Sequence, residues 1–338
     1  MGSSYLSKPA TKKTSRDEEA ANWRCGVSSM QGWRVNMEDA DRVVRDMGDG
    51  TSYFGVFDGH CGKEVALYVS KYLHQYIRSL PSYTASLHEA VINGYLNVDQ
   101  SLLTPKGQRE LKFLKCNPTS QASAATSDSD SSDDECKPLK AQHYFHGMNV
   151  GSTGVTALVR DDLLVVAHVG DSRCVLCRGG IAIAMTSDHK PWMEGEMDRI
   201  RKAGGKVCGN RLYGRGPLNL DVSRTFGDHS LKQNGLLGSE DQIVSVMPDV
   251  RQEVLTREDE FLVLACDGIW DQMTNQQCVD FIRDRLLEDP ATRLSSICEE
   301  LMDCCLSPES PQHGAAGCDN MTIMLVQLTT GKREGGAC

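Results

Sequence analysis

Short apolar runs that stop on an aspartate recur along this chain. Asp58 ends Tyr-Phe-Gly-Val-Phe, Asp171 ends Val-Val-Ala-His-Val-Gly, and Asp267 ends Phe-Leu-Val-Leu-Ala-Cys, while Asp319 stands just ahead of Met321–Leu328. The runs 53–58, 154–160, 163–169, 261–267 and 321–328 are apolar at successive positions, as in strands covered on both faces. Two of them, 154–160 and 163–169, follow closely and lead into a third run, 172–178, joined by tight turns such as Arg160-Asp-Asp162, which predicts an antiparallel meander. Apolar stripes at helical spacing predict helices over 63–77, 87–103, 276–287 and 294–305, with a weaker one over 193–203 stopped by Gly204-Gly205. Helices in separate blocks from paired strands make the class α+β, with sheets sandwiched between helices.

Aspartate is a poor strand residue, and any one of the four could serve only as a turn former. Together they are harder to explain that way. In antiparallel sheets the end of one strand lies beside the start of the next, so the four carboxylates can converge on one edge of the fold. Converging carboxylates repel unless cations sit between them, and hard oxygen ligands select Mg²⁺ or Mn²⁺ over zinc. Gly59 and Gly268, directly after Asp58 and Asp267, let the backbone come close enough for a carbonyl to act as a ligand. Glu38-Asp39 follows Arg34 within Gly-Trp-Arg-Val-Asn-Met-Glu-Asp. That arrangement reads either as a surface salt bridge or as further acidic ligands beside a phosphate clamp, since the planar guanidinium fork matches two phosphate oxygens. His60, in a strand-to-helix turn next to a metal ligand, is a candidate general acid. Rival chemistries leave no trace: the chain has no Cys-x5-Arg, no Gly-x-Ser-x-Gly elbow and no Gly-x4-Gly-Lys-Ser/Thr loop. Direct attack by a metal-activated water remains.

The net charge of −10 argues against nucleic acid as a partner, which demands clustered Lys and Arg. Fourteen cysteines without a secretory signal read as reduced thiols in a cytosolic or nuclear setting. Cys174 and Cys177 form a lone CxxC within an expected strand, which directs the thiols to opposite faces. Residues 1–22 show no hydrophobic period and read as a flexible extension, and 329–338 as a flexible tail. Within 117–140 the run Ser127-Asp-Ser-Asp-Ser-Ser-Asp-Asp-Glu135 reads as a disordered acidic insertion in one domain spanning 23–328.

Nine segments, in order, carry a family resemblance. They are Gly32-Trp-Arg-Val-Asn-Met-Glu-Asp39, Phe54-Gly-Val-Phe-Asp-Gly-His60, Gly151-Ser-Thr-Gly154, Ala167-His-Val-Gly-Asp-Ser-Arg173, Asp188-His-Lys-Pro191, Ala203-Gly-Gly205, Leu220-Asp-Val-Ser-Arg-Thr-Phe-Gly-Asp228, Leu264-Ala-Cys-Asp-Gly-Ile-Trp-Asp271 and Cys318-Asp-Asn-Met-Thr322. In these the chain resembles the metal-dependent serine/threonine protein phosphatases of type 2C. The resemblance implies a sandwich of two antiparallel β-sheets flanked by α-helices, in four αββα layers, with two Mg²⁺ or Mn²⁺ ions at one end and a third, weaker position. It implies that Asp58 bridges the two ions, that the Gly59 carbonyl binds one of them, and that Asp267 and Asp319 bind the other. Glu38 and Asp39 would act mainly through metal-bound waters, and Asp171 and Asp271 would form the third position. Arg34 would hold the substrate phosphate and His60 would protonate the leaving seryl or threonyl oxygen of a phosphoprotein substrate.

Cys61, after His60, puts a thiol near the site and carries an expectation of mild sensitivity to oxidation. Trp192-Met-Glu-Gly-Glu196 departs from the family's flap pattern, which bears on substrate preference. The amino terminus, Met1-Gly2-Ser-Ser-Tyr-Leu-Ser7, resembles N-myristoylated relatives but has Leu6 where the strict motif wants Ser or Thr. It marks Gly2 as an acylation candidate, with nearby lysines as a second, electrostatic membrane signal. A monomer is expected. The competing readings are an inactive member that binds phosphoproteins as a regulator, which would lack a core aspartate, and a metal-dependent phosphodiesterase or nuclease, which would want a basic groove.

Overall fold

The computed structural model describes residues 5–117, 148–214, 218–309, 311 and 316–329. Gly2, most of the acidic serine segment and the tail beyond Thr329 lie outside the described residues.

Two antiparallel sheets stack face to face. One holds six strands in the order Tyr5–Ala20, Trp23–Arg34, Met321–Leu328, Asp259–Ala265, Arg173–Arg178 and Ile181–Ala184. The other holds five, ordered Asp249–Val254, Leu163–Val169, Gly154–Arg160, Ser52–Phe57 and Ala40–Val44. Strand periodicity sorts side chains between layers. Phe54 and Val56 point between the sheets, against Val27 and Leu264, while Tyr53 and Phe57 face the helices Glu64–Ser79 and Leu87–Leu102. On the opposite side Phe261, Val263 and Ile323 meet the helices Asn275–Glu288 and Leu294–Cys305. The result is four layers, αββα. Runs apolar at every position are required because both faces of each central strand are buried. Cys174 lies between the sheets and Cys177 under the helices, on opposite faces as expected.

The amino-terminal segment differs from the flexible extension expected for 1–22. Tyr5–Ala20 is an edge strand, paired from Lys13↔Met30 to Ala20↔Trp23 in unbroken antiparallel register. Its pairing runs through the backbone, so it needs no apolar period, and a polar, charged edge is a common way to keep a sheet from adding further strands. Its charges are partnered: Lys13 Nζ lies 2.6 Å from Asp303, Arg16 pairs with Asp41, and Asp17 accepts the Ser295 amide at 2.9 Å. The helix Pro105–Cys116, with Thr104 as its N-cap and proline in its first turn, is a further element not read from the sequence.

Candidate active site

The strand ends deliver the acidic residues to one edge of the sandwich. Asp58 follows Ser52–Phe57, Asp267 opens the short helix Asp267–Trp270 after Asp259–Ala265, and Asp319 precedes Met321–Leu328. Asp171 sits in the turn between Leu163–Val169 and Arg173–Arg178. All four line a cleft of about 360 Å³, together with Arg34, Glu38, Gly59 and His60. Asp39 lies behind it, fully buried, accepting from the Thr322 hydroxyl at 2.7 Å. Asp39, Asp58 and the Cys266 thiol bring potential ligand atoms within 4.8 Å of one another. Asp271 does not line this cleft: it is exposed, one helical turn beyond Asp267, yet near enough to repel it.

Close backbone approaches build the edge. A Cβ on Gly59 would stand 2.4 Å from the Glu38 carbonyl, and one on Gly268 would stand 2.0 Å from the Asn320 carbonyl. Asn320 clamps the acidic loop to the sheet. Its side-chain NH₂ donates to the Gln31 and Asn36 carbonyls at 2.7 and 2.9 Å, and its Oδ1 accepts the Glu38 amide at 2.9 Å. Thr153 joins two of the aspartates: its amide donates to the Asp58 carbonyl at 2.8 Å, and its hydroxyl meets Ser172, next to Asp171.

The electrostatics are those of a site short of positive charge. Burial, then Asp267, Asp39, Asp319 and Asp171, push the Asp58 carboxyl well above the usual carboxylate range. Burial and the neighbouring Asp171 and Asp319 do the same to Asp267. Asp39 is pushed up to about 7, mainly by burial. Asp39 Oδ1 and Asp267 Oδ1 are buried with no hydrogen-bond partner among the described residues. The available cations sit at the margins: Arg34 donates to Asp319, and Lys190 to Asp171. Unpartnered carboxylate oxygens that would otherwise have to bind protons fit divalent cations. The donor set is oxygen-rich, because burial and nearby aspartates hold the Cys266 thiol protonated, and such a set suits Mg²⁺ or Mn²⁺.

His60 has a partner that sequence reading missed. Its Nε2 lies 2.7 Å from Oδ2 of Asp228, which is fully buried and also accepts from the Thr225 hydroxyl at 2.8 Å. Burial disfavours the charged imidazole, but Asp228 outweighs it and raises the His60 pKa. A Cβ on Gly151 would stand 2.1 Å from the Asp228 carboxylate, so only glycine fits beside the pair. The turn carrying Asp228 hangs from Asp99, which accepts the Gly227 amide at 2.7 Å and Lys232 at 3.0 Å. Asp228 stood in a recognised segment, but nothing in one sequence pairs it with a histidine 168 positions away.

A second cluster, His168, His189 and Asp249, is engaged internally. The His189 Nδ1 accepts the Gly170 amide at 3.1 Å, which leaves its Nε2–H to face Asp249, 3.2 Å away, and the two rings stack at 4.3 Å. A neutral imidazole whose Nδ1 already accepts has no lone pair left for a metal.

The comparisons agree with this geometry. The family profile described as "Protein phosphatase 2C" matches residues 23–117 and 104–313. The chain is 44% identical over 334 residues to "Probable protein phosphatase 2C 60" of Arabidopsis thaliana, covering 96% of this chain and 91% of that protein. It is 43% identical to "Probable protein phosphatase 2C 11" of Oryza sativa subsp. japonica, covering 96% and 90%. Among solved structures, serine-threonine phosphatase 2C from Toxoplasma gondii superposes with a TM-score of 0.71 at 22% identity, over 94% of this chain and 99% of that one, which is a likeness of fold. The αββα sandwich, the acidic edge and these relatives place the chain in the protein phosphatase 2C family of metal-dependent serine/threonine protein phosphatases.

Proposed function

We propose that this chain hydrolyses phosphoserine and phosphothreonine in proteins, using Mg²⁺ or Mn²⁺ held by Asp58, the Gly59 carbonyl, Asp267 and Asp319. The observation that carries the reading is the set of carboxylates converging at one sheet edge, partly to fully withdrawn from solvent, whose mutual repulsion lacks a matching protein cation. A pair of divalent cations there would lower the pKa of a water and neutralise charge on the phosphoryl oxygens.

The chain's own groups do the rest. Asp58 feels the charges of Asp267, Asp39, Asp319 and Asp171 together, and so suits the bridging role. Glu38 and Asp39 orient solvent from the loop that Asn320 clamps. Arg34, whose side chain is partly exposed in the cleft and pairs with Asp319, offers its outer guanidinium nitrogens to the substrate phosphate. His60, held by Asp228, gives a proton to the departing seryl or threonyl oxygen, a contribution of roughly 10²–10⁴-fold for a poor leaving group. Lys190 already pairs with Asp171, so a third cation at Asp171 and Asp271 would have to displace that ammonium and would bind more weakly.

The test is hydrolysis of a phosphothreonine peptide by the full-length protein with Mn²⁺ or Mg²⁺, against a chelator control. Turnover that survives chelation would reject the mechanism. An inactive phosphoprotein-binding role has little support, because no core aspartate is missing.

A further inference from the structure

We infer that Tyr5 is a positioning residue for Arg34, which makes the amino-terminal strand part of the phosphate-binding apparatus. This rests on the reading of Arg34 as the phosphate clamp. The guanidinium carbon of Arg34 lies over the Tyr5 ring, 5.6 Å from its centroid. The two residues are cross-strand partners, Tyr5↔Arg34, at the cleft end of the strand pair.

That pairing is bought against the natural register. Between Lys13↔Met30 and Ala20↔Trp23 the ladder is continuous. Extended without a break, it would set Pro9 opposite Arg34, and proline can donate no ladder hydrogen bond. The strand instead shifts register between Ala10 and Lys13 and again between Tyr5 and Ala10, so that five residues cover two on the partner, and returns to pair at Tyr5. Two irregularities in succession bring the aromatic ring to Arg34.

Arg34 needs such a support. Its side chain is 41% exposed, it has one hydrogen-bonded carboxylate, Asp319, and its Nε has no partner among the described residues. Asp319 is also an expected cation ligand, so bound cations would compete with Arg34 for the carboxylate that holds it. A ring face attracts the guanidinium without using any of its N–H donors, so the contact does not compete with phosphate oxygens for them. Tyr5 therefore fixes the plane of the fork while Asp319 is shared.

The experiment uses full-length wild type, Tyr5→Phe, Tyr5→Leu, Arg34→Ala and the Tyr5→Leu/Arg34→Ala double variant. Leucine keeps apolar bulk on the edge strand and removes the ring with its hydroxyl, phenylalanine removes the hydroxyl alone, and circular dichroism checks that each variant is folded. Phosphate affinity is read by calorimetric titration of inorganic phosphate, and KM and kcat with a phosphothreonine peptide. Tyr5→Leu is expected to weaken phosphate binding and raise KM by about two- to five-fold, the range of a cation–π contact near a surface, with kcat changed less. Tyr5→Phe, which keeps the ring face, should lose less phosphate affinity than Tyr5→Leu, and Tyr5→Leu should add nothing in the Arg34→Ala background. Unchanged phosphate affinity in Tyr5→Leu, equal damage from Tyr5→Phe, or an additive loss in the double variant would overturn the role of Tyr5. Unaltered phosphate affinity in Arg34→Ala would instead reject the underlying reading of Arg34.

Discussion

Asp99 is the clearest place to test how the fold carries the site. It is 1% exposed, and it accepts from the Gly227 amide and from Lys232, with His229 Nε2 at 3.3 Å. Burial alone would raise its pKa, but Lys232 and His229 outweigh it and bring the carboxyl from 3.8 down to about 2. At about 1.4 kcal/mol per tenfold change, that difference contributes on the order of 2 kcal/mol at neutral pH. Asp99→Asn removes it and leaves Lys232, whose side chain is 8% exposed, without its carboxylate, so a total loss of about 2–4 kcal/mol is expected. A depressed carboxylate stabilises the fold above its unfolded value and loses that contribution as pH falls through its folded value. Urea unfolding of wild type and variant should thus show the full gap at pH 7. At about pH 3 only about half of the charge-linked part should remain. A gap under about 0.5 kcal/mol at pH 7, or one that widens in acid, would refute the reasoning. The same variant should lose activity while still folded, because Asp99 holds the turn that presents Asp228.

Three further outcomes follow from the geometry. Asp228→Asn should slow hydrolysis of a phosphothreonine peptide about tenfold or more while sparing p-nitrophenyl phosphate, whose leaving group needs no acid; equal loss on both substrates would remove His60 from proton delivery. Gly151→Ala, whose methyl would meet Asp228 and His60, should show the same substrate-dependent loss, read in the same assay. Phe54→Ala empties the layer between the sheets, where the ring sits edge-on to Trp23 at 4.9 Å, and should lower unfolding free energy by about 3–5 kcal/mol by denaturant titration.

Much of the fold was legible because both faces of the central strands are buried. A strand such as Ser52–Phe57 then reads as a continuous apolar run whose limits are set by burial, and its terminal aspartate stands out. The edge strand Tyr5–Ala20 was not legible for the converse reason: backbone pairing with one neighbour and side-chain partners such as Asp303 and Asp41 leave no apolar signature. The helix Pro105–Cys116 buries only Gly107, Leu111 and Leu114, too few for a stripe, although Thr104-Pro105 is a start signal that could have been read. In the site, residues at strand ends could be found one by one. Partners such as Asp228, Lys190 and Asn320 act through contacts between distant segments, which only the folded chain brings together.

The claim on which the rest depends is that the acidic edge holds divalent cations. Calorimetric titration of the full-length protein with Mn²⁺, beside Asp58→Asn shown by circular dichroism to be folded, tests it directly. Two ions per wild-type chain and loss of binding in the variant are expected. No binding to wild type, or the same stoichiometry and affinity in Asp58→Asn, would contradict it.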